Sequence, residues 1–275
     1  MISKSGQPLN KPPPCSSAID LSGSHGPAMA IRMDFANYEA EGRQHQHRQG
    51  QLIFALHGAV TCRAESAVWV VPPNCGVWIP GGVPHSNEVT PNARLTYLFV
   101  EPDAAMLPAE CCTLSVSPML REMILRVAEL LESDARDAHG DRLVRVMLDE
   151  LALMPREGLE LHVSDHPKIA VIAAALLADP SDRRTLGQWA KHVAVSERSL
   201  KRLMVQQTGL SFGRWRRQLH LVIAVRELAG GATVQQVAGD LGYESTTAFI
   251  VMFRKALGTT PSRYLEERLL SAQRT

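Results

Sequence analysis

TLGQWAKHVAVSERSLKRLMVQQTG, Thr185 to Gly209, and TVQQVAGDLGYESTTAFIVMFRKALG, Thr233 to Gly258, are two versions of one pattern. In the first, Thr185 is placed to cap a helix, and Gln188, three residues on, completes a capping-box spacing. Ala190 is small where two helices must cross closely, and Val193 closes the first helix. Ser196 then caps a second helix whose Leu200, Leu203 and Met204 point inward. In the later stretch Ala238 repeats Ala190, Leu241 repeats Val193 and Ser245 repeats Ser196, while Phe249, Met252 and Phe253 repeat the inward set. The later turn is one residue longer, since Ala190 to Leu200 spans 10 positions and Ala238 to Phe249 spans 11. A single match of this kind is often an ordinary αα-hairpin, whereas two copies in one chain specify tandem helix-turn-helix units.

With the inward residues assigned, Arg198, Ser199, Lys201 and Arg202 are left on the outer face of the first unit's second helix. That is the face such a unit lays in a major groove. Between the units, Ser211 to Ala229 reads as one helix, with Phe212, Trp215, Leu219, Val222, Ile223 and Val225 among its apolar residues. A helix of that length spans about 28 Å at 1.5 Å per residue, against roughly 34 Å between successive major grooves on one side of a duplex. Arg214, Arg216 and Arg217 on this connector, with Arg254 beyond it, suit phosphate contacts; a solvated basic face is the alternative. The charge balance agrees. Residues 1–166 carry 13 basic against 20 acidic residues and residues 167–275 carry 16 against 8, so a total of +1 hides an acidic half and a basic half.

GYESTTAFIVMFRKALGTTPSRY, Gly242 to Tyr264, resembles the signature of the AraC/XylS family of transcription regulators. It has the Gly-aromatic turn, the Ser cap, the spaced Phe residues and the closing G-x-[ST]-P-x-x-[YF]. The resemblance covers roughly residues 167–268 and implies a seven-helix DNA-binding module. It places Arg198, Lys201 and Arg202 at base-contacting positions of the first unit, and Thr246, Thr247, Ala248, Ile250 and Val251 at those of the second. Arg and Lys pair with guanine, whereas Thr and small apolar groups suit thymine methyls. The first unit is therefore expected to dominate sequence discrimination.

The N-terminal half is written differently. Short apolar runs at Gln51–Leu56, Ala67–Val71, Gly76–Ile79 and Leu95–Val100 alternate with Gly, Pro, Asn and Ser clusters, which predicts a small β-barrel or jelly roll. Pro118 to Glu132, and a second stripe from Leu143 to Leu151, have the helical period and are expected to pack on the barrel or pair with a second copy. The expected division is a disordered leader (1–28), a cupin-like barrel (29–116), a helical packing or dimerisation segment (117–158), a linker (159–166) and the DNA-binding domain (167–275). Overall the fold class is α+β, barrel first and all-α module second.

His45-x-His47, then Gln51, and later Pro80-x-Gly82-x-x-His85 resemble the two motifs of the cupin barrel, in which three His and a carboxylate converge on a metal. Gln51 stands where metal-binding cupins carry Glu, so two readings remain open: a divalent transition metal on His45, His47, Gln51 and His85, or a polar pocket for a small ligand. Trp69 and Trp78 are candidates to line that pocket, or are core. Val71 to Val89 with the upstream His pair resembles the NimR-type subgroup of the same family, whose members are linked by analogy to transporter or efflux genes.

Five cysteines without a C-x-x-C pair point to reduced thiols and a cytoplasmic protein, with the Cys111-Cys112 pair most simply core and a sensor of oxidants or thiophilic metals as the alternative. No run of 18 apolar residues is present, so a membrane is not an expected partner. The expected partners are double-stranded DNA, a small-molecule or metal effector, a second copy of the chain and, where transcription is activated, RNA polymerase. An effector-responsive regulator is the expected function, and an enzyme is not. A metal-dependent cupin enzyme with an accessory DNA module and a constitutive DNA binder are the alternatives.

Overall fold

The computed structural model describes residues 26–35, 40–41, 43–64, 67–71, 75–133, 137–157, 160–164 and 166–266. The expected leader lies, through residue 25, outside them, as does Cys15. The strands begin with β1 (Ala28–Asp34), β2 (Ala40–Glu41), β3 (Gly50–His57), β4 (Val60–Ala64), β5 (Ala67–Val71) and β6 (Cys75–Ile79). They continue with β7 (His85–Val89), β8 (Arg94–Val100) and β9 (Cys112–Ser115), and helices α1 (Pro118–Glu132) and α2 (Ala138–Ala152) follow. Two short strands, β10 (Arg156–Glu157) and β11 (Glu160–His162), lead into α3 (Pro167–Ala178), α4 (Leu186–His192), α5 (Glu197–Thr208), α6 (Phe212–Ala229), α7 (Val234–Asp240) and α8 (Thr246–Leu257).

The strands form two antiparallel sheets, ordered β1-β8-β3-β6-β9-β10 and β11-β5-β4-β7-β2. They face one another as a sandwich and do not close into the expected barrel. Alternation along each strand divides the apolar residues into layers. Ile53, Val77, Tyr97 and Phe99 of the first sheet meet Cys62, Trp69, Val71 and Val89 of the second. On the other face of the first sheet, Leu52, Phe54, Leu98 and Leu114 are covered by Leu120 and Ile124 of α1 and Met147 and Leu151 of α2. The outer face of the second sheet supplies Val68, Val70 and Leu161 to the same core as Ile172, Trp189, Trp215, Leu219, Phe249 and Phe253 of the C-terminal helices. The order is helices, sheet, sheet, helices, and the sheet that carries His85 lies directly against the DNA-binding module.

The expected linker is absorbed into this arrangement. Residues 160–162 pair with β5, Leu161 opposite Val68, which fixes the approach of α3 and α6. No helix among the described residues is long and apolar enough to cross a membrane.

Candidate DNA-reading face and sensor cluster

Each helix-turn-helix unit is built from the caps its sequence announced. Thr185 accepts from Gln188 N while Gln188 Oε1 accepts from Thr185 N, and Thr233 and Gln236 repeat this capping box. Ser196 Oγ accepts from Ser199 N, and Ser245 Oγ from Ala248 N, opening α5 and α8. Both helices end at a left-handed glycine, Gly209 (φ 71°) and Gly258 (φ 77°). The turns differ: the first passes through Ala194 at φ 53°, a conformation costly for a residue with a Cβ, and the second through Gly242 at φ 72°.

Leu200, Met204, Phe249 and Phe253 are buried as the pattern requires. Arg198, Ser199, Lys201 and Arg202 are exposed on α5; Thr247 and Val251 are exposed on α8, and Thr246 is half-exposed. Val251 keeps 54% of its surface in solvent. The Ser199 hydroxyl accepts from Ser196 Oγ (2.9 Å), so it also serves the cap. Arg214, Arg217 and Arg254 are exposed. Arg216 is turned inward: its guanidinium lies 4.6 Å over Phe212 and donates to Arg184 O, and burial lowers its pKa. A phosphate contact would require giving up that packing.

In the N-terminal half His45, His47 and His85 converge, each offering a ring nitrogen within 4.8 Å of the others. Strand alternation explains half of this set. Gln51 on β3 and His85 on β7 both face the sandwich interior, and the Gln51 amide oxygen bridges the two sheets, 2.9 Å from His47 Nε2 and 2.8 Å from His85 Nε2. Each ring turns its Nδ1 to a backbone carbonyl: His45 to Arg43 O (2.9 Å), His47 to Gln49 O (2.7 Å) and His85 to Val83 O (2.9 Å).

A carbonyl only accepts, so each Nδ1 carries the proton and, in a neutral ring, each Nε2 is a bare lone pair. For His47 and His85 that lone pair meets another acceptor, the Gln51 oxygen. Burial keeps His85 neutral, pulling its pKa down to about 4 against the opposing bond to Val83 O, so protonation of that ring does not relieve the contact. Two arrangements do. A half-turn of the Gln51 amide places its NH2 group between the two nitrogens, or a cation sits among the four lone pairs. Nδ1 held by backbone carbonyls with Nε2 converging is the arrangement that histidine metal sites use. The donor set therefore fits a divalent transition metal, with an amide oxygen as its weak member.

Deeper in the sandwich, Trp69, Cys62 and Asn87 lie on one row across β5, β4 and β7. Among the described residues, Trp69 Nε1, Asn87 Oδ1, Thr113 Oγ1 and Gln51 Nε2 are buried without a hydrogen-bond partner. Orphaned groups of this kind are rare in a closed core. Asn87 was legible as a neighbour of His85, two residues along the same strand face, and the sequence reading missed it. Trp78 does not belong to this interior: it points to the other face of its sheet, under the helices, and donates Nε1–H to Pro108 O (2.8 Å).

Residues 189–267 match the family described as a helix-turn-helix domain, and residues 29–163 match that described as an AraC-like ligand binding domain. The HTH-type transcriptional regulator NimR of Escherichia coli (strain K12) is 51% identical over 241 residues, covering 88% of each chain. The HTH-type transcriptional regulator RipA of Corynebacterium glutamicum is 32% identical over 97 residues, 35% of this chain and 29% of RipA. Among solved structures, ToxT from Vibrio cholerae O395 is similar over 90% of this chain and 98% of its own, at 10% identity and a TM-score of 0.38.

Proposed function

The chain belongs to the AraC/XylS family of helix-turn-helix transcription regulators, and on that premise we propose that its two recognition helices read unequal halves of one operator under control of an effector held in the sandwich. Family membership sets aside the cupin-enzyme alternative. The observation that carries the reading of DNA is the pair of capped recognition helices whose outer faces differ in chemistry: Arg198, Lys201 and Arg202 on one, Thr246, Thr247 and Val251 on the other. Bidentate Arg or Lys contacts with guanine contribute about 1–3 kcal/mol of discrimination each, more than a methyl contact supplies. Arg214, Arg217 and Arg254 add phosphate contacts, and Arg216 positions the start of α6.

For the sensor, His45, His47 and His85 would hold a divalent metal through Nε2, with Gln51 Oε1 as fourth ligand; the metal would supply a Lewis-acidic point to which an oxygen or nitrogen of an effector can bind. Trp69 N–H and Asn87 Oδ1 would receive the acceptor and donor of a small, largely apolar molecule seated between the sheets. A second copy of the chain would pack on α1 and α2, where Met119 and Val146 are about half exposed and Leu153 is 74% exposed.

Footprinting upstream of the chain's own gene, with and without divalent metal, tests this reading. Protection that changes with metal for the wild type, and no longer does so for His85→Ala while DNA binding persists, is the expected result. Metal-independent protection by both proteins would remove the metal from the account and leave the DNA reader standing.

A further inference from the structure

Helix α6 is held by the sensor at both ends, and the two holds differ in kind. Near its start, buried Trp215 donates its indole N–H to His162 O (2.8 Å), and Gln218 Nε2 donates to Glu160 O (3.0 Å). Both acceptors are carbonyls of β11, beside an apolar seam of Val68, Val70 and Leu161 against Trp215, Leu219 and Val222. Ser164 Oγ donates to Gln207 Oε1 (2.7 Å), tying α5 to the same edge. The first helix-turn-helix unit is thus joined to the sensor through buried surface.

At the far end of α6 the contact is polar and open to water. Arg226 Nη1 lies 3.3 Å from Glu88 Oε1, with the two side chains 36% and 40% exposed. Asn92 Nδ2 donates to Ala229 O (3.3 Å), a carbonyl at the end of the helix where backbone acceptors lose their helical partners. A cleft of about 160 Å³ opens beside them, lined by Thr61, Glu88, Thr90, Arg226 and Glu227. The buried Thr61 hydroxyl there has no partner among the described residues. The chain then passes through Gly230 and Gly231, the latter at φ 101°, before the second unit begins at Thr233. Glu88 belongs to β7, whose first residue is His85, so one five-residue strand joins the His cluster to this contact.

We propose that Glu88, Asn92 and Arg226 form a latch through which the sensor sets the pose of the second helix-turn-helix unit, while the first stays fixed by the buried seam. Half-exposed ion pairs contribute little net stability, so the latched and released states are close in free energy, and a shift of β7 at His85 is enough to move the balance. Release lets the end of α6 shift against the sensor, and the second unit, whose Val237, Phe249 and Phe253 share one apolar core with α6, shifts with it. Regulation then acts on how much of the operator is read and leaves the first half bound.

The latch rests on the proposed reading of DNA by two units, and its test separates the two. A duplex is selected from a random pool with the wild-type full chain, and the half whose base preferences respond to Arg202→Ala is taken as the first. Binding of Glu88→Gln, Arg226→Gln and the double variant is then measured on this duplex and on one with the second half scrambled. The expected result is a change of roughly five-fold or more on the complete duplex and less than roughly two-fold on the scrambled one. The double variant should go little further than the larger single effect, because the Glu88–Arg226 contact is common to both, although Arg226 also pairs with Glu227 and Glu88 with Arg63. Equal changes on both duplexes, or additive effects, would overturn the latch while the DNA reading survives. Failure of the wild type to select any duplex would remove both.

Discussion

The Gln51 amide oxygen stands against two imidazole nitrogens whose protons are committed to backbone carbonyls elsewhere. A carboxylate at that point would bring a full negative charge to the same four lone pairs. Gln51→Glu replaces a direct ligand and is therefore expected to tighten divalent-metal binding by at least the roughly ten-fold that partners behind the ligands contribute at histidine metal sites, read by competition with a chelating dye. An unchanged affinity would argue that the amide is turned and the cluster holds no cation. His220 gives a second residue-scale expectation. Burial foremost, with Arg216 and Arg183 adding, pulls its pKa to about 4 against the opposing bond to Pro180 O. Above pH 6.5 the ring is neutral whether the chain is folded or not. Below that the unfolded chain takes up a proton that the folded chain refuses, so stability falls as pH drops from 6.5 towards 4. His220→Gln should flatten part of that fall in Tm, and melting curves with unchanged pH slope would contradict it. The metal-type residues were legible because a His pair and a distant P-x-G-x-x-H carry their own spacing. The inward turn of Arg216 was not, because its acceptor, Arg184 O, comes from a loop that sequence does not place beside the helix.

At the scale of elements, the helices of the C-terminal module are those the sequence dictates, since every start from α3 to α8 except that of α6 carries a side-chain cap or a proline, and α5 and α8 each stop at a glycine. Thr185→Ala and Thr233→Ala should each cost about 1 kcal/mol in urea unfolding, because each removes the hydroxyl that accepts from the N3 backbone N–H and leaves only the Gln half of the capping box. Ala194 lies at φ 53° where the second unit has Gly242, so Ala194→Gly is expected to stabilise the first turn by up to about 1 kcal/mol. Destabilisation by that change would mean the Ala194 methyl group packs better than its backbone suggests. The sandwich was only half legible. Its longer strands follow from alternation, but whether two sheets close into a barrel depends on edge pairing. The edges here include β10 and β11, two and three residues long, too short to leave a periodic signal.

For the whole molecule, the acidic and basic halves and their order along the chain were legible from composition, while their docking was not. The residues that join them, such as Asn92 and Ala229, are 137 positions apart and individually unremarked in sequence. Because one apolar core contains Val68 and Leu161 of the sensor with Trp189, Trp215 and Phe253 of the reader, the two halves are expected to unfold in a single calorimetric transition. Two resolved transitions would show that the seam contributes little. The central claim, that two unequal helices read one operator, is tested most directly by a base-by-base scan of the selected duplex with wild type, Arg202→Ala and Val251→Ala. The account predicts that Arg202→Ala erases discrimination of about 1–3 kcal/mol at positions in the first half, and that Val251→Ala produces a smaller loss confined to thymine-bearing positions of the second. Equal, position-specific losses from both variants would contradict it.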